Sequence, residues 1–196
     1  LVIDNFTENP NLSLPVGVGN IGTVTVDGVH MKNKVNGNWP KKGAFVNCKV
    51  ERFVIRNIER DYFENEYFPA LHFGARCIID QLLIENYHSR NYNGGSYQTE
   101  QIVLDQGSQL GQVKIKGAIF HSGTAVNGYP ISIESTAKVD QFVLDDCQGM
   151  RFTDFVRKDS GATVTNYHVS TNCYMDSAGA AASTWTLQSG APWTED

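Results

Sequence analysis

A short apolar template recurs through the middle of the chain: an apolar residue, two variable ones, apolar, variable, apolar, variable, then a small polar residue. Six copies begin at Val26, Val50, Ile79, Ile115, Val139 and Val164, so that successive starts lie 24, 29, 36, 24 and 25 residues apart. A period in this range, carried by β-branched residues with alternating polarity, suits the coil of a β-solenoid and is too strand-like for a helical repeat. Upstream of the later copies stand further short alternating segments, Leu71-His72-Phe73, Ile102-Val103-Leu104, Ile131-Ser132-Ile133 and Phe155-Val156-Arg157, which predict a second wall for each coil.

Stacking the six copies about 4.8 Å apart, the ordinary strand spacing, turns equal positions into columns. The fourth position reads Val29, Phe53, Leu82, Ala118, Phe142, Tyr167, and the sixth Met31, Ile55, Ile84, Phe120, Leu144, Val169; both are predicted to point inward. Two residues before each copy stand Val24, Cys48, Cys77, Val113, Ala137 and Ala162, a small apolar column in which Cys48 and Cys77 read as buried free thiols. The eighth position holds Asn33, Asn57, Asn86, Ser122, Asp146 and Thr171, side chains suited to bonding turn backbone at a corner.

The repeat divides the 196 residues into a lead-in over 1–22, a solenoid over 23–176, and a tail over 177–196 that breaks the pattern with Gly179, Trp185, Pro192 and Trp193. An open solenoid needs its raw edges covered, so both end segments are expected to act as caps, the tail otherwise as a linker. A net charge of −5 with no Lys/Arg cluster gives no reason to expect nucleic acid or an anionic membrane surface as a partner. The apolar runs are too short to cross a bilayer as a helix. The cysteines and histidines lack metal-site spacing, and no cofactor or metal is expected. The start at Leu1 suggests a processed or excised piece of a longer protein.

From about Thr23 to Cys173 the repeat resembles the pectate-lyase-like right-handed β-helices, and within them the tailspike and appendage proteins of bacteriophages. The resemblance implies an all-β fold, a single-stranded right-handed parallel β-helix of about six or more coils. It also implies a homotrimer on a virion tail, or otherwise an extracellular protein, that meets polysaccharide. The fold hosts many activities, so the resemblance speaks to architecture before chemistry. Of the motifs that mark pectinase-type hydrolases of this fold, only an Asp pair has a counterpart, Asp145-Asp146.

Two surface features carry the functional expectations. The fifth template position reads His30, Val54, Leu83, Ile119, Val143 and His168, which predicts an apolar outward stripe of the kind three side-by-side solenoids would cover. The first three connections between coils are rich in aromatic residues. Trp39 stands in the first, Tyr62 and Tyr67 beside Asp61, Glu64 and Glu66 in the second, and Tyr87, Arg90 and Tyr92 in the third. Aromatic rings stack on the apolar faces of sugars and Arg meets their carboxylates, so Trp39, Tyr62, Tyr67, Tyr87, Arg90 and Tyr92 are the candidate carbohydrate contacts.

Glycosidic hydrolysis needs two carboxyl groups at a set separation, and the candidates are Asp61, Glu64, Glu66, Asp145 and Asp146. A lyase would need a base such as Arg56, Arg60 or Arg90. The histidines fall on separate coils and read as surface or interface residues. Three readings follow: a tailspike-like domain that binds, and in one version depolymerises, a bacterial surface polysaccharide; a secreted monomeric lyase or hydrolase; and a purely structural solenoid.

Overall fold

The computed structural model describes residues 2–4, 12–13, 20–32, 43–45, 48–62, 71–74, 76–91, 101–122, 128–152, 154–176, 186–187 and 193–195. Among these there are eighteen strands and no helix. One sheet stacks β1 (Val2–Asp4), β3 (Ile21–Lys32), β5 (Lys49–Tyr62), β7 (Ile78–Asn91), β9 (Gln109–Lys116) with β10 (Ile119–His121), β12 (Lys138–Asp145) with β13 (Gln148–Met150), and β15 (Thr163–Val169) with β16 (Tyr174–Asp176). The other stacks β2 (Leu12–Ser13), β4 (Gly43–Phe45), β6 (Leu71–Phe73), β8 (Ile102–Leu104), β11 (Ile131–Ile133), β14 (Val156–Lys158) and β18 (Trp193–Glu195). All pairings are parallel except that of β17 (Thr186–Leu187) with β16. The chain is a parallel β-solenoid of about four turns, fewer than the six or more coils expected, bounded by less complete rungs.

The register corrects two of the six repeat copies. Ile21, Val50, Ile79, Leu110, Val139 and Val164 lie one above another, so the rungs are spaced by 29, 29, 31, 29 and 25 residues. The copies placed at Val26 and Ile115 are therefore five residues too late. The inward columns are Val24, Phe53, Leu82, Val113, Phe142, Tyr167 and Val26, Ile55, Ile84, Ile115, Leu144, Val169.

Each long rung bends once, at a residue held in the left-handed conformation. This corner column reads Gly28, Asn57, Asn86, Gly117 and Asp146, with φ of 68°, 55°, 52°, 62° and 54°. Glycine takes this conformation freely, and Asn and Asp tolerate it better than other side chains. Beyond the bend the alternation restarts, and Val29, Ile58, Tyr87, Ala118 and Cys147 point inward as a further buried column. Asn57→Val is expected to lower stability by about 1–2 kcal/mol while Asn57→Gly changes it by a few tenths, read from urea denaturation.

A second corner returns the chain from the short strands to the long ones through four β-turns. The amides of Cys77, Ser108, Ala137 and Ala162 donate to the carbonyls of Gly74, Asp105, Glu134 and Asp159, at 3.2, 3.1, 3.0 and 2.9 Å. The third residue of the first three turns, Arg76, Gly107 and Thr136, again has positive φ. The column after these turns is Cys48, Cys77, Ser108, Ala137 and Ala162.

The core fills the space between walls. Phe53 of β5 meets Phe73 of β6 edge to face at 5.9 Å between ring centroids, joining the long wall to the short one. Leu71, Ile102, Ile131 and Val156 supply the opposing column. At one end β1 pairs with β3, and at the other β17 pairs with β16 and β18 with β14. Among the described residues nothing pairs with the outer edge of β15, where the inward-column residue Tyr167 is 46% exposed.

The outward column expected to form an apolar stripe is Thr25, Val54, Leu83, Lys114, Val143 and His168. Lys114 interrupts it in place of Ile119, and Val54 and Val143 are only 8% and 9% exposed within the single chain. The run of four aliphatic residues is a product of the shifted register.

Candidate functional site

The bend at the left-handed column separates two banks of outward side chains, and a groove lies along the corner and the second bank. One bank is Asp27, Arg56, Glu85, Lys116 and Asp145, which alternate in sign from rung to rung. Opposite charges on neighbouring strands attract, which favours this alternation. Arg56 Nε donates to Asp27 Oδ2 at 2.7 Å, and Lys114 Nζ lies 3.4 Å from Asp145 Oδ2. The other bank begins His30, Glu59, His88, on three consecutive rungs.

Between the banks runs a ladder of amides. Asn86 Nδ2 donates to Asn57 Oδ1 at 3.0 Å, and Asn57 Nδ2 donates to Asp27 Oδ1 at 2.7 Å. Each link polarises the next, and the chain ends on a carboxylate that also receives Arg56. The hydrogen bonds from Asn57 and then Arg56 hold the Asp27 carboxyl below its usual range. Because its folded value is depressed, Asp27 contributes its full stabilisation above pH about 4 and loses it as pH falls through the folded value. Asp27→Asn is expected to flatten the acid limb of the stability curve, measured as denaturation midpoint against pH between about 5 and 2.

The groove is lined by Gly28, Val29, His30, Asn57, Glu59, Asn86 and His88 and encloses about 260 Å³. Among the described residues Glu59 is its one lining carboxylate, with a side chain 56% exposed, and His30 Nε2 stands 3.9 Å from Glu59 Oε2, beyond hydrogen-bond length. The site therefore offers imidazole, carboxylate and amide groups in a row along the solenoid axis. Sequence reasoning assigns the histidines to unrelated surface positions. The shared distance from each corner, two residues past Gly28, Asn57 and Asn86, is the signal that places His30, Glu59 and His88 in one column.

The sequence-derived site residues are distributed otherwise. Tyr87 is not a loop residue: it is fully buried in the column beyond the corner, with its ring 5.7 Å from that of Phe120. Burial pushes its hydroxyl up to about 12. Arg60 points inward and is buried, which removes it as an open base, while Arg56 is engaged by Asp27. Arg90 is exposed at the end of β7, on the rung above Asp61 of β5, and Tyr62 ends β5 opposite Asn91. Asp145 faces Lys114, and the neighbouring Asp146 is an exposed corner residue whose backbone amide donates to Ser170 Oγ at 3.1 Å. Trp39, Glu64, Glu66, Tyr67 and Tyr92 lie outside the described residues.

The outer face of the short-stranded sheet is also polar but closes on itself. His72 Nε2 is 2.9 Å from Asp105 Oδ2, Arg157 donates to Glu134 at 2.7 Å, and Ser132 donates to the same Glu134 oxygen at 2.6 Å. These groups use their hydrogen-bonding capacity on one another, which marks a structural ladder. Among the described residues no group of three or more ligating side chains is arranged to hold a metal ion.

No protein-family model matches the chain, and neither the curated proteins nor the solved structures contain a significant match to it.

Proposed function

We propose that the solenoid binds a bacterial surface polysaccharide along the groove of His30, Asn57, Glu59, Asn86 and His88, as a tailspike-like recognition domain. The observation that carries this reading is placement: three consecutive rungs set polar side chains, His30, Glu59 and His88 beside Asn57 and Asn86, along one open groove. A polymer of hydroxyl-bearing units meets such a row with one set of contacts per rung, and its hydroxyls suit amide, imidazole and carboxylate partners alike. Among the described residues the groove is lined by one carboxylate, Glu59, whereas glycosidic hydrolysis needs two, so the reading is one of binding. The homotrimer belongs to the same tailspike-like reading, and light scattering of the purified chain reads it directly.

The test is affinity electrophoresis of the intact chain through gels cast with individual bacterial surface polysaccharides. Retardation in at least one gel, without loss of polymer size, is the expected result. Migration unaffected by every polysaccharide would overturn the proposal, and shortening of the polymer would favour the secreted lyase or hydrolase instead.

A further inference from the structure

All four cysteines of the chain fall into two stacked pairs. Cys48 and Cys77 occupy the same position on adjacent rungs, just before β5 and β7, and the Ile78 amide donates to the Cys48 carbonyl at 2.8 Å. Their Sγ atoms are 2.9 Å apart. Cys147 and Cys173 are likewise adjacent, just before β13 and β16, and the Tyr174 amide donates to the Cys147 carbonyl at 2.9 Å. All four are buried.

Packing alone does not call for sulfur on neighbouring rungs, because Ser108, Ala137 and Ala162 fill the first column equally well. The geometry suits a bond. Parallel rungs stand about 4.8 Å apart, inside the range of about 4.4–6.8 Å that a disulfide spans between Cα atoms. Each pair sits at a corner outside the regular strands, where the backbone can tilt to bring sulfurs within about 2.05 Å.

We propose that Cys48 with Cys77, and Cys147 with Cys173, are inter-rung disulfide sites that close when the chain meets a small-molecule disulfide oxidant such as oxidised glutathione. While a corner is open, during folding or in a local opening of the rung, one thiolate of a pair attacks the glutathione disulfide and releases one reduced glutathione. The partner thiol then loses its proton and displaces the second glutathione from the mixed disulfide. For each pair, two S–H bonds are replaced by one S–S bond, and the two electrons and two protons leave on two molecules of reduced glutathione. In the second pair the hydrogen bond with Cys147 draws the Cys173 thiol down, which favours Cys173 as the thiolate of its pair. The two bridges would tie β5 to β7 and β13 to β16, limiting the unfolded chain and the peeling of rungs.

The chain, purified and unfolded in reductant, is refolded in a mixture of oxidised and reduced glutathione and compared with a sample refolded in reductant. Intact mass is expected to fall by about 4 Da, peptide mapping to give cross-links 48–77 and 147–173, and the melting temperature to rise by roughly 5–10 °C. The double variant Cys48→Ser, Cys147→Ser should fold, since Ser108 already occupies one of the columns, and should show no oxidation-dependent rise. Four free thiols after oxidation, or any other pairing, would overturn the proposal.

Discussion

Phe53→Ala is expected to lower the stability of the solenoid by about 3–5 kcal/mol. Phe53 is fully buried, stacks between Val24 and Leu82 in its column, and meets Phe73 of the opposite wall edge to face. Truncation removes the ring contact that links two walls and leaves a cavity that stacked rungs cannot close without moving their neighbours. Against a total stability on the order of 5–15 kcal/mol, such a loss takes away a large share. Thermal denaturation followed by circular dichroism should show the midpoint falling by roughly 6–20 °C. Val54→Ala, on the outward side of the same strand, should lower it by much less. Equal losses for the two would contradict the inward column.

Glu59→Gln with His88→Ala is expected to reduce polysaccharide retention at least tenfold while leaving the melting temperature nearly unchanged. Both side chains face the groove from adjacent rungs, and neither supports the core. A hydrogen bond to a charged group such as Glu59 contributes about 1.5–3 kcal/mol and one between neutral groups about 0.5–1.5 kcal/mol, so losing both contacts exceeds the 1.4 kcal/mol that corresponds to a tenfold change. Surface substitutions of this kind shift stability by about 0.5 kcal/mol or less. Arg157→Ala on the outer face of the short-stranded sheet is the control. It should leave retention intact and weaken the local ladder with Glu134. Dissociation constants from affinity electrophoresis, together with melting curves of the same preparations, separate the two effects.

The solenoid is legible in the sequence because apolar residues recur in strand periodicity with Asn57, Asn86 and Asp146 at equal distances from their copies. The register of two rungs is not. Within one rung, Val26, Val29 and Met31 repeat the spacing of Ile21, Val24 and Val26, because the bend resets the alternation and the same pattern appears again five residues later. Ile115, Ala118 and Phe120 do the same after Leu110, Val113 and Ile115. Where the corner is Gly28 or Gly117, the expected small polar residue is missing, and the later match ending at Asn33 or Ser122 looks better. The two errors have one cause, the glycine that best accepts positive φ.

That shift also hides the candidate site. With the corner moved five residues, His30 falls beside the aliphatic residues of another column, and its neighbours Glu59 and His88 fall among connecting loops. Tyr87 reads as a loop aromatic only if the strand stops at Asn86, whereas β7 continues through the bend to Asn91. Charge pattern alone holds recoverable information: Asp27, Arg56, Glu85, Lys116 and Asp145 alternate in sign only in the register the structure has.

The groove is tested most directly by hydrogen–deuterium exchange of the chain with and without the polysaccharide that retards it most. Slowed exchange is expected in the peptides spanning 27–30, 56–60 and 85–90, on three successive rungs, with the outer face of the short-stranded sheet around 72, 132 and 157 unchanged. Protection centred on that outer face, with the three groove segments unaffected, would contradict polysaccharide binding in the groove.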